Sequence, residues 1–183
     1  MRNRRPQIAL AVLAFLATAL VCSGGARAEA ALEYRVKAAF LYNFAKFVTW
    51  PGAAFPAPTV SVVFCLVGED PFGDLLESTT KDRKIEGRDI EIRHLALDAS
   101  LAGCHLVFVS GVGSARAAHV LQRATAARAL AIGESEDFLA RGGMIRLLVE
   151  EGKVRFDVST KATDTVGLKV SSQLLKLARD VER

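Results

Sequence analysis

Apolar and polar positions alternate along this chain in two distinct periods, and the change of period marks the elements. In "KAAFLYNFAKFVTWP", Lys37 to Pro51, the residues Val36, Phe40, Leu41, Phe44, Phe47 and Val48 fall within one stripe at 100° per residue. Arg35, Tyr42, Lys46 and Thr49 lie on the other side. The spacing predicts an amphipathic helix whose aromatic stripe faces a core. Pro51 ends it, because the residue before a proline is pushed out of helical geometry. Tyr42 and Trp50 sit off the stripe and are candidates for a partner surface, where aromatic residues are enriched. Lys37 and Lys46 interrupt the run, which is too short and too charged for a membrane span.

Beyond the proline-broken "PGAAFPAPT", the run "VSVVFCLVG" (Val60–Gly68) has no polar break, as expected of a strand covered on both faces. Asp70-Pro71 reads as the cap and first position of a helix over Phe72–Thr80. An alternating strand is predicted around Ile90–Leu95, and "CHLVFVS" (Cys104–Ser110) is a second buried strand. Ser114 caps a helix through about Ala127, and "ARALAIG" is a third buried strand ending at Gly133. Such alternation of strand and helix implies parallel units with helices on both faces of the sheet. The pattern then changes to period 2. Ile145, Leu147 and Val149 face Val154, Phe156 and Val158 across Glu151-Gly152, predicting an antiparallel hairpin at the sheet's edge. Leu168 to Val181 is expected to form a closing helix with Leu174, Leu175, Leu177, Ala178 and Val181 facing in. The fold class is therefore α/β, a single domain with a mixed, mostly parallel sheet.

Charge changes this picture only once the N-terminus is set aside. Arg2, Arg4 and Arg5 precede an apolar run from Ile8 to Val21, and "SGGARAEA" follows. That is the pattern of a secretory signal peptide, with the cut expected before Glu29 or, alternatively, before Ala31. Val21 is not a small residue, so Cys22 is not expected to be a lipid attachment site. The domain assignment is accordingly a signal peptide over 1–28 and one folded domain over 29–183, with the product in the periplasm. Arg2, Arg4, Arg5 and Arg27 account for the whole formal net charge of +4. The domain itself is neutral, without the basic footprint of a nucleic-acid binder.

Candidate chemistry is sparse. "SGVGSAR" (Ser110–Arg116) sits between a strand and a helix, yet Arg116 replaces the third glycine of a dinucleotide fingerprint. The three histidines, His94, His105 and His119, lack the spacing of a zinc site. No G-x-S-x-G elbow occurs, so neither a catalytic site nor a cofactor is expected. The loops "GEDP", "SGVGS" and "GESED" should converge at the carboxyl ends of the parallel strands and could form a small-ligand crevice carrying Glu69, Asp70, Ser110, Ser114, Glu134 and Glu136. Absence of C-x-x-C argues against a thiol oxidoreductase. Cys65 and Cys104 remain, on strands expected to be neighbours. They can form a disulfide, or they can pack as two buried thiols.

Several segments taken in order, "KAAFLYNFAKFVTWP", "CLVGEDPFGDLLE", "CHLVFVS", "AIGESEDFLARGGMIRLLVEEGKVRFDV" and "GLKVSSQLLKLA", resemble the YfiR family of small periplasmic proteins over about Tyr34 to Ala178. The resemblance implies a mixed α/β sheet flanked by helices and, usually, a homodimer. It also implies a regulator that represses an inner-membrane diguanylate cyclase of the YfiN type by binding its periplasmic sensor domain, so lowering cyclic-di-GMP and biofilm growth. Cys65 and Cys104 match the family's cysteine positions, and the resemblance favours a bond between them under oxidation, with redox control. A second, downstream cysteine pair present in some relatives is absent, so a state locked by that pair is not expected. A periplasmic small-ligand-binding protein using the crevice is the alternative reading.

Overall fold

The computed structural model describes residues 29–183; the signal-peptide assignment lies outside the described residues. Helix α1 covers residues 29–47, but the chain leaves it sooner than Pro51 requires. Val48–Thr49 (β1) is extended and pairs antiparallel with Lys169–Val170 (β8). Two β-branched residues ahead of a Trp-Pro step favour that extended exit. The buried face is also rotated from the expected stripe. Lys37, Ala38, Leu41, Phe44, Ala45 and Val48 are buried, whereas Val36 is 38% exposed. Phe44 packs edge-on against Phe156, with ring centroids 4.9 Å apart.

A short 3-10 turn, Gly52–Ala54, leads toward β2 (Val62–Gly68). There follow α2 (Asp74–Thr80), β3 (Ile90–Leu95), β4 (Leu106–Ser110), α3 (Ser114–Ala126), β5 (Leu130–Gly133), β6 (Ile145–Glu150) and β7 (Lys153–Ser159). The chain closes with α4 (Thr160–Thr165), β8, α5 (Ser172–Leu177) and β9 (Asp180–Glu182). The main sheet has seven strands in the order β3-β2-β4-β5-β6-β7-β9. Five of them, β3 to β6 in that order, run parallel; β7 is antiparallel to β6. The fold is thus the expected α/β domain, a mixed and mostly parallel sheet flanked by helices. In β4 every residue before Ser110 is buried, as a strand covered on both faces requires.

Three expectations are corrected. Helix α2 begins at Asp74, because the Asp70 carboxylate accepts the N–H of Phe72 at 2.8 Å and holds a turn there instead of a helix end. The hairpin β6–β7 has the expected register, with Leu147 opposite Phe156, but it is not the edge: β9 pairs parallel to β7 outside it. The closing helix spans only Ser172–Leu177, and Leu177 is 69% exposed. Asp157, nearly fully buried, accepts from the Arg179 guanidinium (Nε 2.8 Å, Nη2 2.7 Å) and from Arg146 Nη2 at 2.5 Å. The Arg179 N–H also donates to the Phe156 carbonyl at 2.9 Å. These contacts pull the chain out of the helix and onto the sheet.

Candidate functional site

Two regions gather the residues singled out above, one at each end of the parallel strands. At the amino ends lies the cysteine pair. Strand β2 places Cys65 deep in the core, and the ladder with β4 sets Phe64 opposite Leu106 and Cys65 opposite Val107. Cys104 precedes that ladder. Its N–H donates to Leu101 (3.0 Å), and this turn brings its Cα to 5.9 Å from that of Cys65, where the two form a disulfide. Strict parallel pairing seldom offers that approach, so the freedom of a strand entrance decides the outcome.

The residue after Cys104 organises its surroundings. The His105 N–H donates to the Val63 carbonyl (2.9 Å), and the Val63 N–H donates to His105 Nδ1 (3.1 Å). An imidazole that accepts at Nδ1 carries its proton on Nε2, which donates to the Ala54 carbonyl at 3.1 Å. The Trp50 indole N–H donates to the His105 carbonyl at 3.2 Å. Phe55 stacks on the imidazole, with centroids 4.4 Å apart and planes 5° apart, and the Arg88 guanidinium lies 4.2 Å from the Phe55 ring centre. Burial, aided by the charges of Arg88 and Arg93, holds the His105 pKa below the ordinary histidine value. His105 is therefore a neutral, fully engaged histidine that ties residues 50–55 to the sheet. Nothing in its sequence context distinguishes it from a core residue except that a histidine opens an otherwise apolar strand.

Trp50 does not take the position expected of it. At 8% exposure it belongs to the core, since the helical wheel that placed it off the stripe stops at residue 47. Tyr42 is half-buried, its hydroxyl 3.4 Å from the Lys84 carbonyl and its ring 5.0 Å beneath the Arg83 guanidinium. The structure thus brings Cys65, Cys104 and Trp50 together and leaves Tyr42 apart.

At the carboxyl ends the three loops converge as expected. The chain order reverses between β2 and β4, the position at which open sheets bind ligands. Here the loops pack directly on one another: the Glu69 N–H donates to the Ser110 carbonyl at 3.0 Å. Gly68 (φ +98) and Gly111 (φ +63) permit that approach, because a Cβ on either would collide with the opposite loop. Helix α1 then crosses the next loop. Lys37, whose side chain is 5% exposed, donates to both Glu33 and Glu134, and the Tyr34 hydroxyl lies 3.4 Å from Glu134 Oε2. Burial alone would lower the Lys37 pKa, but its bonds to Glu134 and Glu33 outweigh this and raise it. The Tyr34 ring meets Phe72 edge-on at 5.6 Å. Side chains of this chain therefore occupy the mouth expected to receive a ligand. Lys37 is a buried cation that the apolar pattern did not reveal.

Among the described residues no helix is long and apolar enough to cross a membrane. Apolar surface is exposed at Leu32, Val36 and Val149, beside a groove of about 440 Å³ between α1 and the β6–β7 hairpin.

A family model described as YfiR/HmsC-like matches residues 34–179. Two solved structures are similar in fold. One is described as a conserved domain protein from Vibrio cholerae O1 biovar El Tor, at 12% identity and TM-score 0.51, with 66% of this chain and 54% of that chain covered. The other is the ABC domain in complex with L-Trp from Streptococcus pneumonia, at 10% identity and TM-score 0.53, with 79% and 60% covered. This chain thus spans little more than half the length of each, and the likeness concerns the fold alone. No curated protein matches it.

Proposed function

This chain belongs to the YfiR/HmsC-like family, and from that membership we propose that it is an exported regulator that represses an inner-membrane diguanylate cyclase by binding the cyclase's periplasmic domain. The family match over residues 34–179 carries the reading. Its action is occupancy. The regulator binds the inactive conformation of the cyclase more tightly than the active one, and loss of the complex returns the population to activity. Export through residues 1–28 places the domain on the same side of the membrane as its target. The regulator works as a homodimer, and the half-buried Tyr42, with Arg83 and Lys84 around it, belongs to the partner surface. Cys65 and Cys104 supply the redox-sensitive element. Trp50 supports the loop beside that bond from inside the core.

The test measures cyclic-di-GMP and biofilm in cells lacking the protein, then in cells complemented with the full chain or with a chain lacking residues 1–28. Deletion is expected to raise both readouts, and only the exported chain to restore them. Capture on the purified domain is expected to enrich a membrane cyclase from solubilised membranes. Unchanged cyclic-di-GMP with enrichment of a transporter permease would overturn the reading in favour of solute binding.

A further inference from the structure

Among the described residues strand β3 ends the seven-stranded sheet, paired on one side only, with β2. Its free side is defined by the ladder. The Val62 N–H donates to the Asp89 carbonyl at 2.8 Å, and Val62 stands opposite Ile90. In a parallel ladder alternate residues point their main-chain groups to the same neighbour. Asp89, Glu91 and Arg93 therefore turn toward β2, and the N–H and C=O groups of Ile90, Ile92 and His94 point outward at the edge. A row of this kind is a template for another strand unless something blunts it.

The side chains specify which strand. Glu91 and Arg93 share one face of β3, both substantially exposed at 48% and 41% of their side-chain surface. Arg93 Nε donates to Glu91 Oε1 of its own strand at 2.7 Å, so an opposed copy would extend this pair into a network of four alternating charges. Ile90 and Ile92 share the other face and are half-buried beside α2. Suppose a second copy of β3 pairs antiparallel about a twofold axis. With the axis at Ile92, Glu91 of each copy faces Arg93 of the other, Ile92 meets Ile92, and the outward main-chain groups of Ile90 and His94 pair with each other. An axis at Glu91 or Arg93 would instead set like charges opposite one another, and an axis at Ile90 would face Glu91 with Asp89; such pairs are destabilising. An axis at His94 would face Arg93 with Leu95 and leave both charges without an opposite partner, so only the register about Ile92 sets Glu91 against Arg93 and uses all three outward residues.

We propose that two copies of this chain associate edge to edge through β3, antiparallel about Ile92, joining their sheets into one continuous sheet. This rests on the dimeric part of the proposed function and names its face. Main-chain bonds supply affinity in such strand addition, and the Glu91–Arg93 pairs fix the register.

The experiment is a charge-swap cycle read by sedimentation equilibrium on the purified, oxidised chain, with circular dichroism confirming that each variant folds. Glu91→Arg alone sets Arg against Arg twice, and Arg93→Glu alone sets Glu against Glu twice. Each is expected to raise the dimer dissociation constant about tenfold, while the double variant E91R/R93E returns it to the wild-type value. Three results would overturn the proposal: a wild-type chain monomeric at every concentration, single variants that dimerise as tightly as wild type, or a double variant no better than the singles. No cyclase enters the measurement, so a chain that dimerises through β3 yet fails to alter cyclic-di-GMP refutes the regulatory reading and leaves this one standing.

Discussion

Breaking the Cys65–Cys104 bond should lower the stability of the domain by about 4 kcal/mol. The bond spans a sequence separation of 39, and closing a loop of that size removes about 13 cal/mol/K of entropy from the unfolded chain. For a domain of this length each kcal/mol corresponds to roughly 2–4 °C, so the melting temperature should fall by about 8–16 °C. The two sulfurs are also hard to reach, since Cys65 is fully buried and Cys104 is 4% exposed. Reduction should therefore be slow in buffer and fast once denaturant opens the fold. The assay is a thermal melt followed by circular dichroism, for oxidised protein, for protein reduced while unfolded and then refolded, and for C65A/C104A. The alanine pair should be at least as unstable as the reduced form, because it adds two small voids. A shift below about 3 °C in both cases would refute the loop-closure reasoning. Two free thiols in oxidised, unfolded protein would refute the bond itself.

Trp50→Ala should destabilise by about 3–5 kcal/mol in chemical denaturation, since it empties a core position and orphans the His105 carbonyl, whereas Tyr42→Ala should cost less than about 1 kcal/mol; equal losses would refute the separation of the two rings. Because the folded-state pKa of His105 is depressed, its contribution to stability is complete above the unfolded value near 6.5 and declines as pH falls below it; the ring's NMR titration should show the Nε2–H tautomer at neutral pH and a lowered midpoint, and a midpoint at or above 6.5 would contradict this. Asp157→Asn leaves Arg146 and Arg179 without their shared carboxylate and should cost about 2–3 kcal/mol, with hydrogen exchange accelerating at Asp180–Glu182. For Asp157 burial raises the pKa, but the two guanidinium groups overcome it and hold it low, so this contribution is present above about pH 3.9 and lost as pH falls through the folded value; Asn at this position should abolish that acid dependence.

Elements set by local period were legible in the sequence. The hairpin around Glu151-Gly152 forms with Val149 opposite Val154 because period-2 alternation and the turn agree. The runs that became β2, β4 and β5 were legible as buried strands because nothing polar breaks them. What escaped depends on contacts distant in sequence. Leu174, Leu175, Leu177 and Val181 carry a helical period, and it is Arg179, bonded to Asp157 22 residues before it and to the Phe156 carbonyl, that draws the chain out of the helix. Lys37 reads as a solvated break in an apolar stripe until Glu134, 97 residues on, is brought to it. Trp50 was assigned by a helical wheel to a position the helix never reaches. In the first two cases the period described a local preference correctly and a buried polar partner overrode it; for Trp50 the early extended exit at Val48–Thr49 ended the wheel.

Those same long-range contacts fix α1 at two places. Toward its start, Lys37 and Tyr34 hold it to Glu134 at the carboxyl ends of the strands. Just past its end, the Ser171 N–H donates to the Phe47 carbonyl at 2.9 Å, and Trp50 and Ala54 bond to the two sides of His105. His105 is the residue that follows Cys104, so the loop after α1 rests on the segment whose position the disulfide constrains. Coupling between sites needs a physical element that both can bias. Here that element is the run from Trp50 to Phe55, one residue removed from the cysteine pair on one side and continuous with α1 on the other. A change in the Cys104 backbone would reach that run through these two hydrogen bonds of His105.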